Sequence, residues 1–216
     1  MKKYIALVTT SLIILTLVGQ IHAQDEKTIT LPAVQKDIGE PLMQALQDRH
    51  SSRDFSDREL SRQHISNILW AAFGINRSES GKRTAPSANN RQETDIYVAL
   101  PEGLYLYDAN AHALELILDE DIRAATGTQA YVGDAAMNLV YVADLAKLDY
   151  ALNDTGLINT AAGVGFIGQN VYLYCASEGL AAVVRGSIDR DKLHDIMNLQ
   201  EEQQIILAHS IGYPAE

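Results

Sequence analysis

Between Ile96 and Leu118, apolar side chains recur at every second position in three consecutive runs. They are Ile96, Val98 and Leu100; then Leu104 and Leu106; then Leu114, Leu116 and Leu118. A period of two belongs to strands, whose side chains alternate between the two faces of a sheet. Pro101-Glu-Gly and Asp108-Ala-Asn separate the runs, and turns this short join antiparallel neighbours only, since a parallel pair needs a long crossover. The middle of the chain is thereby committed to a three-stranded antiparallel meander.

Helical spacing takes over on either side. Ile65, Ile68, Leu69, Ala72 and Phe73 form one apolar face behind Ser61, a good N-cap, and Gly74 closes the segment. Leu60 and Ile65 stand where a hydrophobic staple would place them. A short helix is expected over 40–48, with Leu42, Met43 and Leu46 on one side. A long helix starts at Asp154 or Thr155, runs to Glu178 and stops at Gly179. Its Ala162, Gly165 and Gly168 fall three apart, so a second backbone could come close. One helical turn is expected over 121–125, a buried strand over 138–145, a short strand over 183–185, a helix over 189–197 and a last strand over 203–211. Residues 24–38 read as a polar lead-in and 76–93 as a polar loop. These elements make one α+β domain over 40–216, preceded by a lead-in ending at residue 39.

The first 23 residues have the plan of a secretory signal. Lys2 and Lys3 precede an uncharged stretch from Tyr4 to Gly19, and Ala23 is the expected last residue removed. The apolar run is shorter than the ~20 residues a spanning helix needs, so no membrane span is expected once the signal is gone. The expectation is export to a periplasmic or extracellular site.

Charge narrows the partners. The formal net charge is −11, with 17 Lys and Arg against 28 Asp and Glu. That excess argues against a nucleic-acid surface, where phosphate neutralisation supplies most of the affinity. It does not exclude one phosphate in a local basic pocket. The six histidines show no H-x-x-x-H and there is one cysteine, Cys175, so no metal site is expected and the thiol reads as buried and inert. Gly163-Val-Gly165-Phe-Ile-Gly168 spells the dinucleotide fingerprint, but those glycines work only in a turn between a strand and a helix. Here they fall inside a helix and read as a packing surface.

Three segments carry chemistry that the rest does not. Arg49-His50-Ser51-Ser52-Arg53-Asp54-Phe55 gathers two guanidiniums and two hydroxyls in an acidic chain, and a guanidinium fork matches phosphate oxygens. By itself the segment is more often a solvated helix end paired with Asp48, Asp54 and Asp57. Arg83-Thr-Ala-Pro-Ser-Ala-Asn-Asn-Arg-Gln92 places amides and backbone groups on a Pro-Ser turn, where they could read the edge of a planar heterocycle, although alone such a segment is more often an ordinary polar loop. Arg185, with Gly186, interrupts an apolar strand. Such an arginine is usually paired at the surface, and a buried anion would also explain it.

In this order the segments resemble the nitroreductase family of FMN-dependent oxidoreductases. Arg49-His50-Ser51-Ser52-Arg53-Asp54-Phe55 resembles the family's R-x-S-x-[RK]-x-F phosphate motif, and Pro86 to Gln92 its P-S-x-x-N-x-Q flavin loop. Gly168-Gln169-Asn170, Glu178-Gly179-Leu180 and Ile211-Gly212-Tyr213-Pro214 are similar to the branch containing azoline-oxidising dehydrogenases. The resemblance implies a mixed, mostly antiparallel sheet wrapped by helices, in a homodimer with FMN at the interface. It implies that Arg49, His50, Ser51 and Arg53 hold the phosphate and ribityl end. Pro86, Ser87, Asn90 and Gln92 would flank the ring, with Arg185 and Gly186 on its other side. Family members often carry a further basic residue after the last strand; none occurs in Tyr213-Pro-Ala-Glu216, so Arg185 or Arg91 would substitute. The cofactor carries the chemistry, so no side chain is assigned as acid or base. The segment 119–134, with Gly127 and Gly133, is a candidate site-covering loop.

The implied activity is electron or hydride transfer to or from a small nitro, quinone or heterocyclic substrate. The alternative from another class is a flavin-binding or interaction module that keeps the fold without turnover. A third is flavin-independent binding of some other ligand in the same cleft.

Overall fold

The first strand of the meander is buried on both of its faces, which alternation on one face does not by itself require. The computed structural model describes residues 28–148 and 154–215, so the expected signal segment lies outside the described residues. Strand β4 (Thr94–Leu100) packs Ile96, Val98 and Leu100 into one core and Tyr97 and Ala99 into a second core across the sheet. Strands β5 (Gly103–Asp108) and β6 (Ala113–Leu118) complete the meander. Its register pairs Ala99 with Leu104 and Tyr107 with Leu114.

The full sheet has seven strands in the order β1-β6-β5-β4-β7-β9-β8. The others are β1 (Thr28–Thr30), β7 (Met137–Asp144), β8 (Ala181–Arg185) and β9 (Gln203–Gly212). Every described pairing in it is antiparallel. Strands β2 (Ile75–Arg77) and β3 (Lys82–Arg83) form a separate small hairpin inside the expected polar loop. Strand β1 lies within the expected lead-in: three residues are too few for a pattern, and pairing with β6 alone defines it.

Four helices wrap this sheet: α1 (Leu42–Asp48), α2 (Arg62–Phe73), α3 (Asp154–Ser177) and α4 (Arg190–Ile196). Helix α2 buries Ile65, Ile68, Leu69, Ala72 and Phe73, the face its spacing marks. Its N-cap is Ser61, whose hydroxyl oxygen accepts the His64 N–H at 3.1 Å. Replacing that hydroxyl leaves the N–H without its side-chain acceptor. Ser61→Ala is therefore expected to cost about 1 kcal/mol, read as a lower urea midpoint at unchanged slope.

Helix α3 lays Val164, Ile167, Val171 and Cys175 against the same core as α2. The glycine fingerprint is helical throughout, and no strand leads into it. Its small residues divide between two roles. Gly168 packs inside the chain, where an added Cβ would lie 3.2 Å from Val184, while Gly165 faces open space. Burial pushes the Cys175 thiol well above its ordinary value. The thiol should resist alkylation in the native protein and react once the chain is denatured, which a thiol titration before and after unfolding checks.

Large apolar side chains remain exposed along two helices. Leu42, Met43 and Leu46 of α1 point outward, as do Leu157, Ile158 and Phe166 of α3. No described helix is long and apolar enough to cross a membrane.

Candidate functional site

The segment after α1 is pinned along one edge of the sheet. The Ser52 N–H donates to the Ala182 carbonyl of β8 at 3.0 Å. Residues 54–56 then run antiparallel to the end of the chain. Ser56 N–H donates to Tyr213 O at 2.9 Å, Ala215 N–H donates to Asp54 O at 3.2 Å, and Phe55 bridges Pro214. Side chains continue the anchoring. The Tyr172 hydroxyl on α3 accepts the Val184 N–H at 2.8 Å and shares a 2.9 Å hydrogen bond with Ser51 Oγ. Arg49 lies over the Tyr172 ring at 5.3 Å, and His50 Nδ1 is 2.8 Å from the Asp48 carbonyl oxygen.

Among the described residues neither Arg49 nor Arg53 makes an ion pair. The sequence allowed pairing with Asp48, Asp54 and Asp57, and the structure has none. Two unpaired guanidiniums at a fixed edge of an acidic chain are the donor set a phosphate ester requires. A cavity of about 210 Å³ opens along this segment, lined by Asp48, His50, Ser52, Tyr172, Leu180 and Pro214. A larger cavity of about 590 Å³ lies elsewhere, at Leu157, α4 and β9. It is lined by Asp191, Asp195 and Glu201 against Arg190 and His194, so acidic groups outnumber basic ones there.

The second segment is a tight loop held in an unusual backbone. Asn89, Asn90 and Gln92 all have positive φ, at 53°, 56° and 52°. Asparagine tolerates this region, and glutamine does so less readily. Each such residue stores about 1–3 kcal/mol, sustained only where the surroundings over-determine it. Here they do. Ser87 Oγ accepts the Gln92 N–H at 2.9 Å. The Gln92 side chain accepts from Arg83 Nε at 2.7 Å and donates to the Gly81 carbonyl at 3.0 Å and Asn90 Oδ1 at 3.2 Å. Ser87 and Gln92 thus shape the loop, while Pro86 and Asn90 are exposed on it. Arg83, the first residue of the segment, anchors the loop and also donates to the Phe73 carbonyl at 3.0 Å. Arg91 is half-buried and donates to the Ala88 carbonyl at 3.4 Å. Next along the chain, Glu93 is buried with Oε1 accepting from Thr160 at 3.4 Å and Oε2 without a partner.

Helix α3 is the common scaffold of both segments. An added Cβ at Gly163 would lie 3.9 Å from the Pro86 carbonyl oxygen, and Tyr172, nine residues on, contacts Arg49 and Ser51. At 1.5 Å per residue these points are about 13 Å apart along the axis.

Arg185 fits neither of its two sequence readings. It is buried, and its partners are neutral oxygens of Ser210, Thr126 and Asn138. Desolvation by burial lowers its pKa to about 10, which leaves it charged at neutral pH. Gly186 beside it is exposed. His209, paired across the sheet with Val184, is fully buried. Burial, with Arg185 nearby, pushes its pKa down to about 3, so it stays neutral. Its Nδ1 contacts the Tyr141 hydroxyl at 3.1 Å. No cluster of metal-ligating side chains occurs among the described residues.

Comparison with known proteins identifies the family and the fold. The Nitroreductase family model matches residues 46–213. A protein of Methanocaldococcus jannaschii named as a nitroreductase is 28% identical over 193 residues, covering 85% of this chain and 96% of that one. A nitroreductase-named crystal structure from Ralstonia eutropha superposes with a TM-score of 0.85 at 44% identity, covering 89% of this chain and 92% of the other. A further fold match is a nitroreductase-named structure from Desulfovibrio desulfuricans in complex with FMN. It has a TM-score of 0.61 at 22% identity and covers 82% of this chain and 88% of the other.

Proposed function

The chain belongs to the nitroreductase family of FMN-dependent oxidoreductases, and on that premise we propose an exported enzyme acting on a small nitro, quinone or heterocyclic compound. The observation that carries the cofactor assignment is the unpaired pair Arg49 and Arg53 on the sheet edge. They would hold the FMN phosphate, with Ser51 at the ribityl end. Pro86 and Asn90 would face the ring from a loop whose shape Ser87, Gln92 and Arg83 enforce. Bound FMN supplies hydride transfer through N5. The chain's own part is to orient the ring, exclude water and offer polar contacts to the reduced, more electron-rich ring.

A homodimer is part of this reading. It is supported by the exposed Leu42, Met43 and Leu46 on α1 and Leu157, Ile158 and Phe166 on α3, since contiguous exposed apolar surface marks interaction sites. Export is supported by Lys2, Lys3, the apolar stretch and Ala23. It would place the enzyme away from the NAD(P)H pool and therefore calls for a different electron donor.

The test is a visible spectrum of the chain from Gln24 onward, incubated with FMN and desalted. A retained flavin spectrum that is reduced by a donor and reoxidised by an acceptor establishes the enzyme. Retained flavin without turnover favours a binding module. A folded protein that retains no flavin overturns the cofactor reading. Cell fractionation, with the intact mass of the mature protein, decides export separately.

A further inference from the structure

Three adjacent strands each contribute one polar side chain to a buried network. They are Asn138 of β7, Ser210 of β9 and Arg185 of β8, in the sheet order β7-β9-β8, with Asn138 and Ser210 paired across the ladder. Arg185 Nε donates to Ser210 Oγ at 3.0 Å, and Nη2 donates to Asn138 Oδ1 at 2.8 Å. The Ser210 hydroxyl donates to the same Asn138 oxygen at 2.5 Å.

The rest of the guanidinium is spent on a different element. Arg185 Nη2 donates to Thr126 Oγ1 at 2.8 Å and Nη1 donates to the Thr126 carbonyl, while the Thr126 hydroxyl donates to the Arg123 carbonyl at 2.8 Å. Asn138 Nδ2 donates to the Val132 carbonyl at 2.9 Å. The segment 123–132 is therefore fastened at both ends by one network. Between them, Thr128 N–H donates to the Ser187 carbonyl at 3.0 Å, next to Gly186. The Tyr131 ring lies 6.3 Å from that of Phe55, two residues after Arg53. The segment thus runs from beside Arg185 and Ser187 to beside Phe55.

Gly127 shows how closely the parts fit. A Cβ there would come within 2.3 Å of Arg185 Nη1, and the guanidinium cannot swing aside without breaking bonds to three residues. A buried cation held by neutral oxygens alone is costly to maintain. That cost is compatible with a role in placing a wall.

We propose that Arg185 is a positioning residue, fastening the segment 123–132 as a wall of the cofactor cleft, and is not itself a phosphate ligand. The proposal rests on the FMN reading above for its consequence and on the network alone for its geometry. It differs from direct contact in a testable way: removing Thr126's hydroxyl should then do what altering Arg185 does.

The experiment compares Arg185→Lys, Thr126→Val and Thr126→Ser in the whole chain. Three readouts are taken: FMN Kd at two salt concentrations, amide exchange over 123–132, and melting temperature as the check on folding. Arg185→Lys and Thr126→Val should each weaken FMN on the order of 10-fold. Both should speed exchange in 123–132 and leave the salt dependence of Kd as in the parent, while Thr126→Ser restores affinity and protection. Thr126→Val keeps Arg185 intact, so the test survives if the arginine variant fails to fold. Loss of affinity confined to Arg185→Lys, with Thr126→Val binding FMN as the parent does, makes Arg185 a direct ligand and overturns the proposal. Unchanged exchange in both variants overturns it as well. A parent chain that retains no FMN refutes the cofactor reading instead, and the exchange comparison still judges the fastening.

Discussion

Arg49→Ala/Arg53→Ala is expected to lose FMN on desalting while remaining folded. A charge-assisted hydrogen bond contributes about 1.5–3 kcal/mol, so removing two guanidinium contacts to one phosphate costs about 3–6 kcal/mol. That is roughly 10²- to 10⁴-fold in Kd. Stability should change little, because neither side chain is ion-paired. Arg53 is exposed, and Arg49 gives up only its contact over the Tyr172 ring, about 0.5–1 kcal/mol at such a site. Lysine at both positions should give an intermediate affinity, since an ammonium keeps the charge and loses the fork. Arg62→Ala is the control: it breaks the exposed pair with Glu102, outside both segments, and should leave FMN binding alone. Isothermal titration of the whole chain decides it. Parental affinity in the double variant would place the phosphate elsewhere.

The reasons this site was partly legible in the sequence are specific to its residues. The periods at Ile96–Leu118 and Ile65–Phe73 report burial; the structure buries Ile96, Val98, Leu100, Leu104, Leu114 and the α2 face, and half-buries Leu106, Leu116 and Leu118. Strands β1 and β3, of three and two residues, have no period to read; they exist because a neighbour pairs with them. The spacing of Leu42, Met43 and Leu46 identifies a common side of α1 but not what that side meets, and in the described chain it meets solvent. The guanidiniums of Arg49, Arg53 and Arg185 look alike in sequence. Two are unpaired at an edge, and one is buried among oxygens of Thr126, Asn138 and Ser210, up to 59 positions away. No local pattern encodes a contact over that distance. Tyr172 was hidden for a similar reason: a tyrosine in an apolar helix reads as packing, and only the fold brings its hydroxyl to Ser51 and Val184. The strained loop was half visible, because Asn89 and Asn90 suit positive φ while Gln92 gives no warning of it.

Ile158→Asp/Phe166→Asp is expected to convert a dimer to a monomer and, with it, to abolish FMN retention. Both side chains are exposed on α3, at 67% and 50%, and neither lies in the phosphate segment or in the loop 86–92. Burying a large apolar side chain contributes about 1.5–3 kcal/mol, so losing two in each protomer, with carboxylates to desolvate in their place, should weaken association by at least about 10³-fold. Gly165 and Ala162 lie between them on the exposed side of the helix, where a second backbone could approach closely. The effect on FMN follows from position. Loop 86–92 contacts α3 near Gly163 and segment 49–53 contacts it near Tyr172, so on the proposed dimer reading a second copy packed along the helix would help to enclose the cofactor. Ile117→Asp, which alters an exposed apolar residue on β6, should leave both mass and flavin unchanged. Sedimentation velocity with simultaneous detection of protein and flavin reads the two consequences together. A monomeric variant that binds FMN as tightly as the parent would put the whole cofactor site within one chain.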